Sequence, residues 1–441
     1  MQRAMEQALR ATSRDEAWHA LAPLRGSMAT DAGLAETWMT LLAASPARAG
    51  AIDDALTVLR HHAADASLVV RALALLVAVA DLVPFDEPRR AGDVAEVAVR
   101  EARAALDRAP GSAPFRAALG NALVRLGPAH DTDAIAALEE AIRSEPRGEW
   151  LSDLGVAHKR ARRFRAALIA FEKARKKLGD ARPLLFHIAL TAIATGENET
   201  AREALAQLGF AVVGDTRPFV ADLPETEIRL TTLGTGQASF AAVPDEAAGF
   251  ERAWIQPLSP VHGVVRTPTH REAIADFGDV VLVDPAPVAF AVESGKRRPI
   301  LGVLDVLAKG DERRFRFLAL EQHDGDAAAI GAALPEGCTF YLHGTRVEQV
   351  CPRCAAGETL TKHDHLPPEE HRVVFGKLIV PATLDLALVR GALERARADR
   401  PGVLLAMPGL YEAQGDTAGA GKAHKTWGVI ERGLMTMRSR T

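Results

Sequence analysis

The chain has 441 residues, 48% of them apolar and 25% charged, with a net charge of −4 at neutral pH. That length exceeds what one hydrophobic core fills, so more than one domain is expected. The near-balanced charge excludes a global pull toward nucleic acid or acidic membranes, and three cysteines cannot build a disulfide framework, which points to a reducing, cytoplasmic setting.

The opening stretch, MQRAMEQALRATSRDEAW, has helical apolar spacing followed by a capping box, Ser13 with Glu16, and lacks the uninterrupted apolar core of a signal peptide. The longest apolar run, Ala72 to Ala80, lies between Arg71 and Asp81 and is too short to cross a bilayer. Meeting at Ser67, GAIDDALTVLRHHAADAS and SLVVRALALLVAVADLV predict paired helices.

From about residue 90 to 210 the sequence repeats itself. The segment WLSDLGVAHKRARRFRAALIAFEKARKKLG carries Leu154, Gly155, Phe164, Ala167, Phe171 and Ala174 at the offsets of two helices joined by a tight turn. Small residues stand where the helices must touch and large apolar ones fill the space between. Ala98, Ala134, Ala167 and Ala201 form one series, and Ala105, Ala141, Ala174 and Leu208 a second; both step by 36, 33 and 34 residues. Leu119 and Gly120 duplicate the Leu154 and Gly155 pair, while Pro110 and Pro146 close two units.

This pattern resembles the tetratricopeptide repeat (TPR), whose unit is about 34 residues. Gly179 and Asn198 depart from it, standing where the family usually has proline and an aromatic residue. The resemblance implies an α-helical solenoid over residues 1–212, in which the first helices of successive units line a groove for an extended peptide or a partner helix. Carried over residue by residue, Asn121, Arg125, Lys159, Arg160, Phe186 and Leu190 face that groove. Such basic and apolar walls suit an acidic or carboxyl-terminal peptide. The carboxylate-clamp version of the groove is not expected, because Ala117 stands where that version has lysine. Between Lys159 and Lys177 there are nine basic residues and one acid, Glu172. Nucleic-acid phosphates could use this surface, although a solvated helix face explains it equally well.

Beyond GFAVVGDTRP, short runs bounded by glycine and proline replace helical spacing, and no family resemblance is evident for residues 216–380. TEIRLTTL, QASFAAV, HGVVRT, GDVVLVD, RRFRFLAL and CTFYLH are expected as strands of an α+β domain, residues 213–380, with mainly antiparallel pairing. In RRFRFLAL, alternation directs Phe315, Phe317 and Ala319 to the core and the arginines to water. The segment PLSPVHGVVRTPTHREAIADFGD collects His262, Arg266, His270, Arg271, Asp276 and Asp279, either as an active-site loop or as a turn entering the next strand.

Residues 338–371 carry the strongest chemical signal. Cys351 and Cys354 form a Cys-x-x-Cys half-site, and His363 and His365 could complete a tetrahedral zinc knuckle, with Cys338 and His371 as alternate ligands. A structural zinc ion is the leading expectation. Ordinary half-buried cysteines, a redox pair and a catalytic zinc assisted by Asp364 or Glu369 are the alternatives. The zinc-deaminase pattern fails, because Gly344 and Thr345 follow His343.

Residues 381–441 return to helical spacing in LDLALVRGALERARADRP, GVLLAMPGLYEAQGDT and AGAGKAHKTWGVIERGL. Near 405–435, Gly415 and Asp416 would make the turn of a further TPR-like hairpin, with Ala420 as the close contact and Trp427 as the filler. One such unit cannot bury both faces, so the tail is expected to pack on the mixed domain or the repeats. The leading expectation is a scaffold that recruits a protein or peptide partner. The alternatives are a metal-dependent hydrolytic site at Cys351, Cys354, His363 and His365, helped by the 262–279 loop, and nucleic-acid binding through residues 159–177.

Overall fold

The computed structural model describes residues 13–46, 50–82, 88–214, 218–233, 249–321, 323–351, 353, 367 and 369–438. The chain divides into two compact units: Met1–Val264 with Val281–Leu307, and Val265–Val280 with Ala308–Thr441. The boundary expected at residue 212 therefore falls inside the first unit, and residues 213–380 are shared between both.

The first unit opens with α1 (Arg14–Leu21), where the Ser13 side chain accepts from the Glu16 amide and the Glu16 carboxylate accepts from the Ser13 amide. This is the predicted capping box, which satisfies two of the donors a helix start leaves open. There follow α2 (Ala32–Ala43), α3 (Ala51–His61), α4 (Ala66–Leu82), α5 (Pro88–Arg108), α6 (Ala113–Leu126), α7 (Asp131–Ser144), α8 (Gly148–Arg160), α9 (Phe164–Leu178), α10 (Arg182–Thr195) and α11 (Asn198–Gln207). From α3 onward each helix packs on the next, and α2, α4, α6, α8 and α10 also touch their counterparts in neighbouring pairs. All eight small or apolar residues of the two repeat series are buried. A Cβ at Gly155 would stand 2.5 Å from the Phe171 ring, and one at Gly120 would stand 2.6 Å from Leu138 Cγ. The glycines therefore set the spacing of α8 on α9 and of α6 on α7.

After a small ladder of β1 (Val212–Val213) with β2 (Phe219–Val220), the chain forms a closed barrel in the order β3-β4-β5-β6-β7. The strands are β3 (Thr226–Thr231), β4 (Phe250–Ser259), β5 (His262–Val265), β6 (Val280–Glu293) and β7 (Lys296–Ala308). β3 runs antiparallel to β4 and parallel to β7, which closes the ring. The β6–β7 turn places Ser294 at φ 50° and Gly295 at φ 75°, the twist a two-residue hairpin needs. β4, β7 and the middle of β6 carry Pro257, Pro299, and Pro285 with Pro287, which in the sequence read as breaks between strands. Val261, Leu282 and Leu304 of the barrel region share one apolar core with Leu184, Ile188 and Leu205 of the last helix pair.

The second unit is an antiparallel sheet in the order β11-β8-β10-β9: β8 (Arg313–Glu321), β9 (Thr339–Val350), β10 (Glu369–Val380) and β11 (Leu404–Ala406). One face, with Phe315, Phe317, Ala319, Val374 and Leu378, packs on α12 (Asp326–Ala332) and α13 (Leu386–Ala398). The other, with Leu318, Leu320 and Val373, packs on Ile430 and Trp427 of α15 (Thr417–Arg438). The alternation expected for β8 is thus observed. The tail departs from its helical expectation at LLA, where Leu404, Leu405 and Ala406 pair with Leu320, Ala319 and Leu318 as an edge strand. An edge of β8 left open by its neighbours outweighs the helix preference of leucine and alanine. The expected terminal hairpin keeps its turn, with Gly415 at φ 72° and Ala420 buried, but its first helix, α14 (Pro408–Glu412), is only five residues long.

Candidate functional site

Three sets of residues bear on function: the groove positions of the array, the cysteine segment, and the 262–279 loop. On α6, the Arg125 guanidinium bonds to Asp81 of α4 at 3.0 Å, to Asp153 of α8 at 3.2 Å, and to its own neighbour Asn121. One cation therefore ties three consecutive first helices together. Burial alone would lower its basicity; the Asp153 and Asp81 carboxylates outweigh that and raise it.

Further along, Lys159 is 3% exposed, and its ammonium bonds to Asp284 of β6. Lys159 Nζ also lies 3.5 Å from Nδ1 of His187, whose ring stacks on Phe171 at 4.9 Å. Burial would raise the Asp284 carboxyl, but the ammonium beside it holds it below the usual carboxylate range. Burial, and then the charge of Lys159, pushes the His187 imidazole down to about 3. Arg160 pairs with Asp131 of α7. Phe186 packs edge-on against Phe210 and under the Arg182 guanidinium. Leu190 is fully buried in the core of the last helix pair. Lys159 and Leu190 thus depart from the open-groove expectation, because β6 and neighbouring helices cover the positions that would otherwise meet a ligand.

Much of the cationic run is likewise engaged. Arg162 pairs with Asp305 of β7, Arg165 with Glu197, and Arg175 with Asp180. A sequence window shows the nine cations but not these acids, which arrive from elements up to 143 positions away.

In the cysteine segment, Cys351 is buried and directly follows Val350, the last residue of β9 to pair, opposite Glu369. Cys354, His363 and His365 lie outside the described residues. The register sets both alternate ligands apart from Cys351. Cys338 precedes β9, so a full strand separates it from Cys351, roughly 40 Å at ~3.3 Å per residue. Cys338 instead packs beside the α12–α13 core. His371 pairs with Glu348, three ladder positions back from Cys351, which is roughly 10 Å and the opposite side of the strand. Among the described residues, no three of His, Cys, Asp and Glu are grouped to hold a metal ion.

The 262–279 loop is built as structure. His262 is fully buried with Nδ1 2.6 Å from Ser259 Oγ. Asp276 accepts from the Thr269 and Phe277 amides and pairs with Lys377 of β10. Asp279, fully buried, pairs with Lys309 at 2.9 Å and Arg314 at 2.8 Å and accepts from the Gly310 amide. Burial would raise the Asp279 carboxyl, but these donors hold it below its ordinary range. The loop is therefore a strapped turn on the sheet. Lys377, which anchors it, gave no signal in the sequence beyond its place in a strand, and His187 and Asp284 gave none.

No family model and no curated protein matches the chain. Among solved structures it is similar to TTC0263, a thermophilic TPR protein of Thermus thermophilus, at 16% identity over 43% of this chain and 97% of that one, with a TM-score of 0.35. It is also similar to MamA of AMB-1 in two crystal forms, at 19% and 20% identity over 36% and 37% of this chain and 95% and 87% of the other, with TM-scores of 0.26 and 0.25. No described helix is long and apolar enough to cross a membrane. The chain's own repeat length, buried small-residue series and pairwise helix packing make residues 88–207 a TPR-like helical region, followed by a separate sheet-rich region with antiparallel strands.

Proposed function

We propose that the protein is a cytoplasmic interaction scaffold whose TPR-like array recruits a protein or peptide partner carrying carboxylates. One observation carries this reading: the last units of the array already seat a folded segment of the same chain, with the Asp284 carboxylate on Lys159. The surface thus has the chemistry to hold an acidic segment, and the earlier units are where a second chain would bind. Between α5 and α6 a groove of about 490 Å³ has Val99, Leu123 and Leu126 along its floor, with Arg100, Arg103 and His130 beside Glu96 and Asp107 at its rim. Apolar anchors flanked by carboxylates would fit it.

A photo-crosslinking residue at position 103, compared with one at Val292, tests this in extract of the native host. The reading predicts one partner captured from position 103 alone and lost after Arg100→Glu. Equal capture from both positions, or capture indifferent to the charge reversal, refutes it.

We further propose that a zinc ion on Cys351, Cys354, His363 and His365 closes the β9–β10 connection. Support comes from the place of Cys351, buried at the point where the two strands converge, and from the thiolate and imidazole donor set. Such an ion would supply folding free energy rather than chemistry. Elemental analysis of purified protein should find about one zinc per chain, lost together with thermal stability in Cys351→Ser and Cys354→Ser. Metal-free wild-type protein of full stability would end the idea.

A further inference from the structure

The sheet of the second unit carries an arrangement that neither the repeats nor the cysteine segment uses. Across the β8–β10 ladder Arg316 stands directly opposite Lys377, so two cations share one face. Like charges in that relation destabilise a sheet unless each is compensated. Lys377 is compensated: it is 5% exposed and bonds to the Asp276 carboxylate and, at 2.9 Å, to the Thr269 hydroxyl. Arg316 is not. Among the described residues it makes no hydrogen bond or ion pair, and its guanidinium lies 5.9 Å from the centre of the Trp427 ring.

Beside Arg316 opens a cavity of about 160 Å³, lined by His270, Arg346, Phe375, Trp427 and Glu431. The His270 ring is 4.7 Å from Phe375 and 5.4 Å from His343. At Gly376, which also lines the cavity, the two strands approach closely: a Cβ there would fall 1.9 Å from the Tyr341 carbonyl oxygen. Of the charged side chains lining it, Arg316 and Arg346 are cations and Glu431 is the acid. At His343, burial first, and then His270, Lys377 and Arg316 against the single opposing Asp276, push the imidazole down to about 4.

We propose that this cavity binds a small aryl carboxylate, its ring against Phe375 and Trp427 and its carboxylate on Arg316, with Arg346 and His270 beside it. A cavity of about 150 Å³ holds one benzene-sized ring, which matches the space and leaves none for a nucleotide. A guanidinium that lacks an internal counter-charge gains most from a bidentate carboxylate, and the adjoining aromatic faces reward a flat body. The site is independent of the partner surface on the array.

The test is calorimetric titration of the full chain with benzoate, salicylate and indole-3-carboxylate. Benzamide, which has the ring without the charge, and acetate, which has the charge without the ring, serve as comparators. At least one aryl carboxylate should bind about tenfold more tightly than both comparators. Arg316→Gln, at an exposed position that folding does not need, should weaken that ligand about tenfold and leave benzamide unchanged, and Arg346→Gln should weaken it as well. The proposal is overturned if no aryl carboxylate binds at about 10 mM, if benzamide matches the best of them, or if Arg316→Gln binds like the wild type with an unaltered circular dichroism spectrum.

Discussion

Cations crowd two regions of this protein, the later helices of the array and one face of the second unit's sheet, and the two regions treat them differently. In the array, Lys159, Arg160, Arg162 and Arg165 each meet a carboxylate from another element, so the charge serves to join elements. On the sheet, Lys377 is joined in the same way, but its cross-strand neighbour Arg316 is left facing a cavity. The density of basic residues along a chain therefore says little about which of them can meet a ligand. What decides it is whether an acid arrives from elsewhere in the fold.

The comparison breaks most sharply at Lys159. Lys159→Ala leaves Asp284, 8% exposed, buried without a counter-charge, and should cost about 3–5 kcal/mol in urea denaturation. Arg316→Gln should change stability by no more than about 0.5 kcal/mol. Equal shifts for the two would erase the distinction.

Acid probes the same joint through His187. Its imidazole is held near 3 in the fold, against about 6.5 in the unfolded chain, so below neutrality the unfolded state takes up a proton that the native state refuses. Stability is complete above about pH 6.5 and declines as pH falls toward 3, by about 2 kcal/mol at pH 5. His343, held near 4, adds a loss of the same sign in the second unit over a narrower window. His187→Phe should remove the His187 share of this loss and leave that of the second unit, which stability curves between pH 7 and 5 would reveal; His158, also lowered by burial, keeps a smaller share in the first unit.

A smaller effect is expected at the helix contacts. Gly155→Ala must displace the Phe171 ring, at a cost of about 1–3 kcal/mol by thermal or chemical melting. Gly111→Ala, with open space around it, should stay within about 0.5 kcal/mol.

The array was legible because its signals are local and repeated. Each alanine of the two series marks a contact between helices adjacent in the chain, and Gly155 with Phe171 could be paired from spacing alone. The barrel was less legible. Its ring closes through β3 and β7, some seventy positions apart, and prolines inside β4, β6 and β7 disguised long strands as short ones. β11 was hidden because three residues of helical preference become a strand only beside β8. Of the groove residues, Asn121, Arg125 and Arg160 lie at helix contacts, whereas Lys159 and Leu190 are buried. Family position predicts which way a side chain leaves its helix, not what the rest of the chain lays over it.

The division of the chain carries a consequence for biosynthesis. Residues 265–280 are committed to the second unit before β6 and β7 of the first have emerged, so translation visits one half, departs and returns. Until Leu282 and Leu304 leave the ribosome, Leu184 and Ile188 at the end of the array have part of their apolar cover missing. A nascent chain paused in that interval would present a sticky helical end beside an unclosed β3 and β4, the state in which a chaperone has most to hold. Cutting the gene at any one codon cannot yield two intact halves.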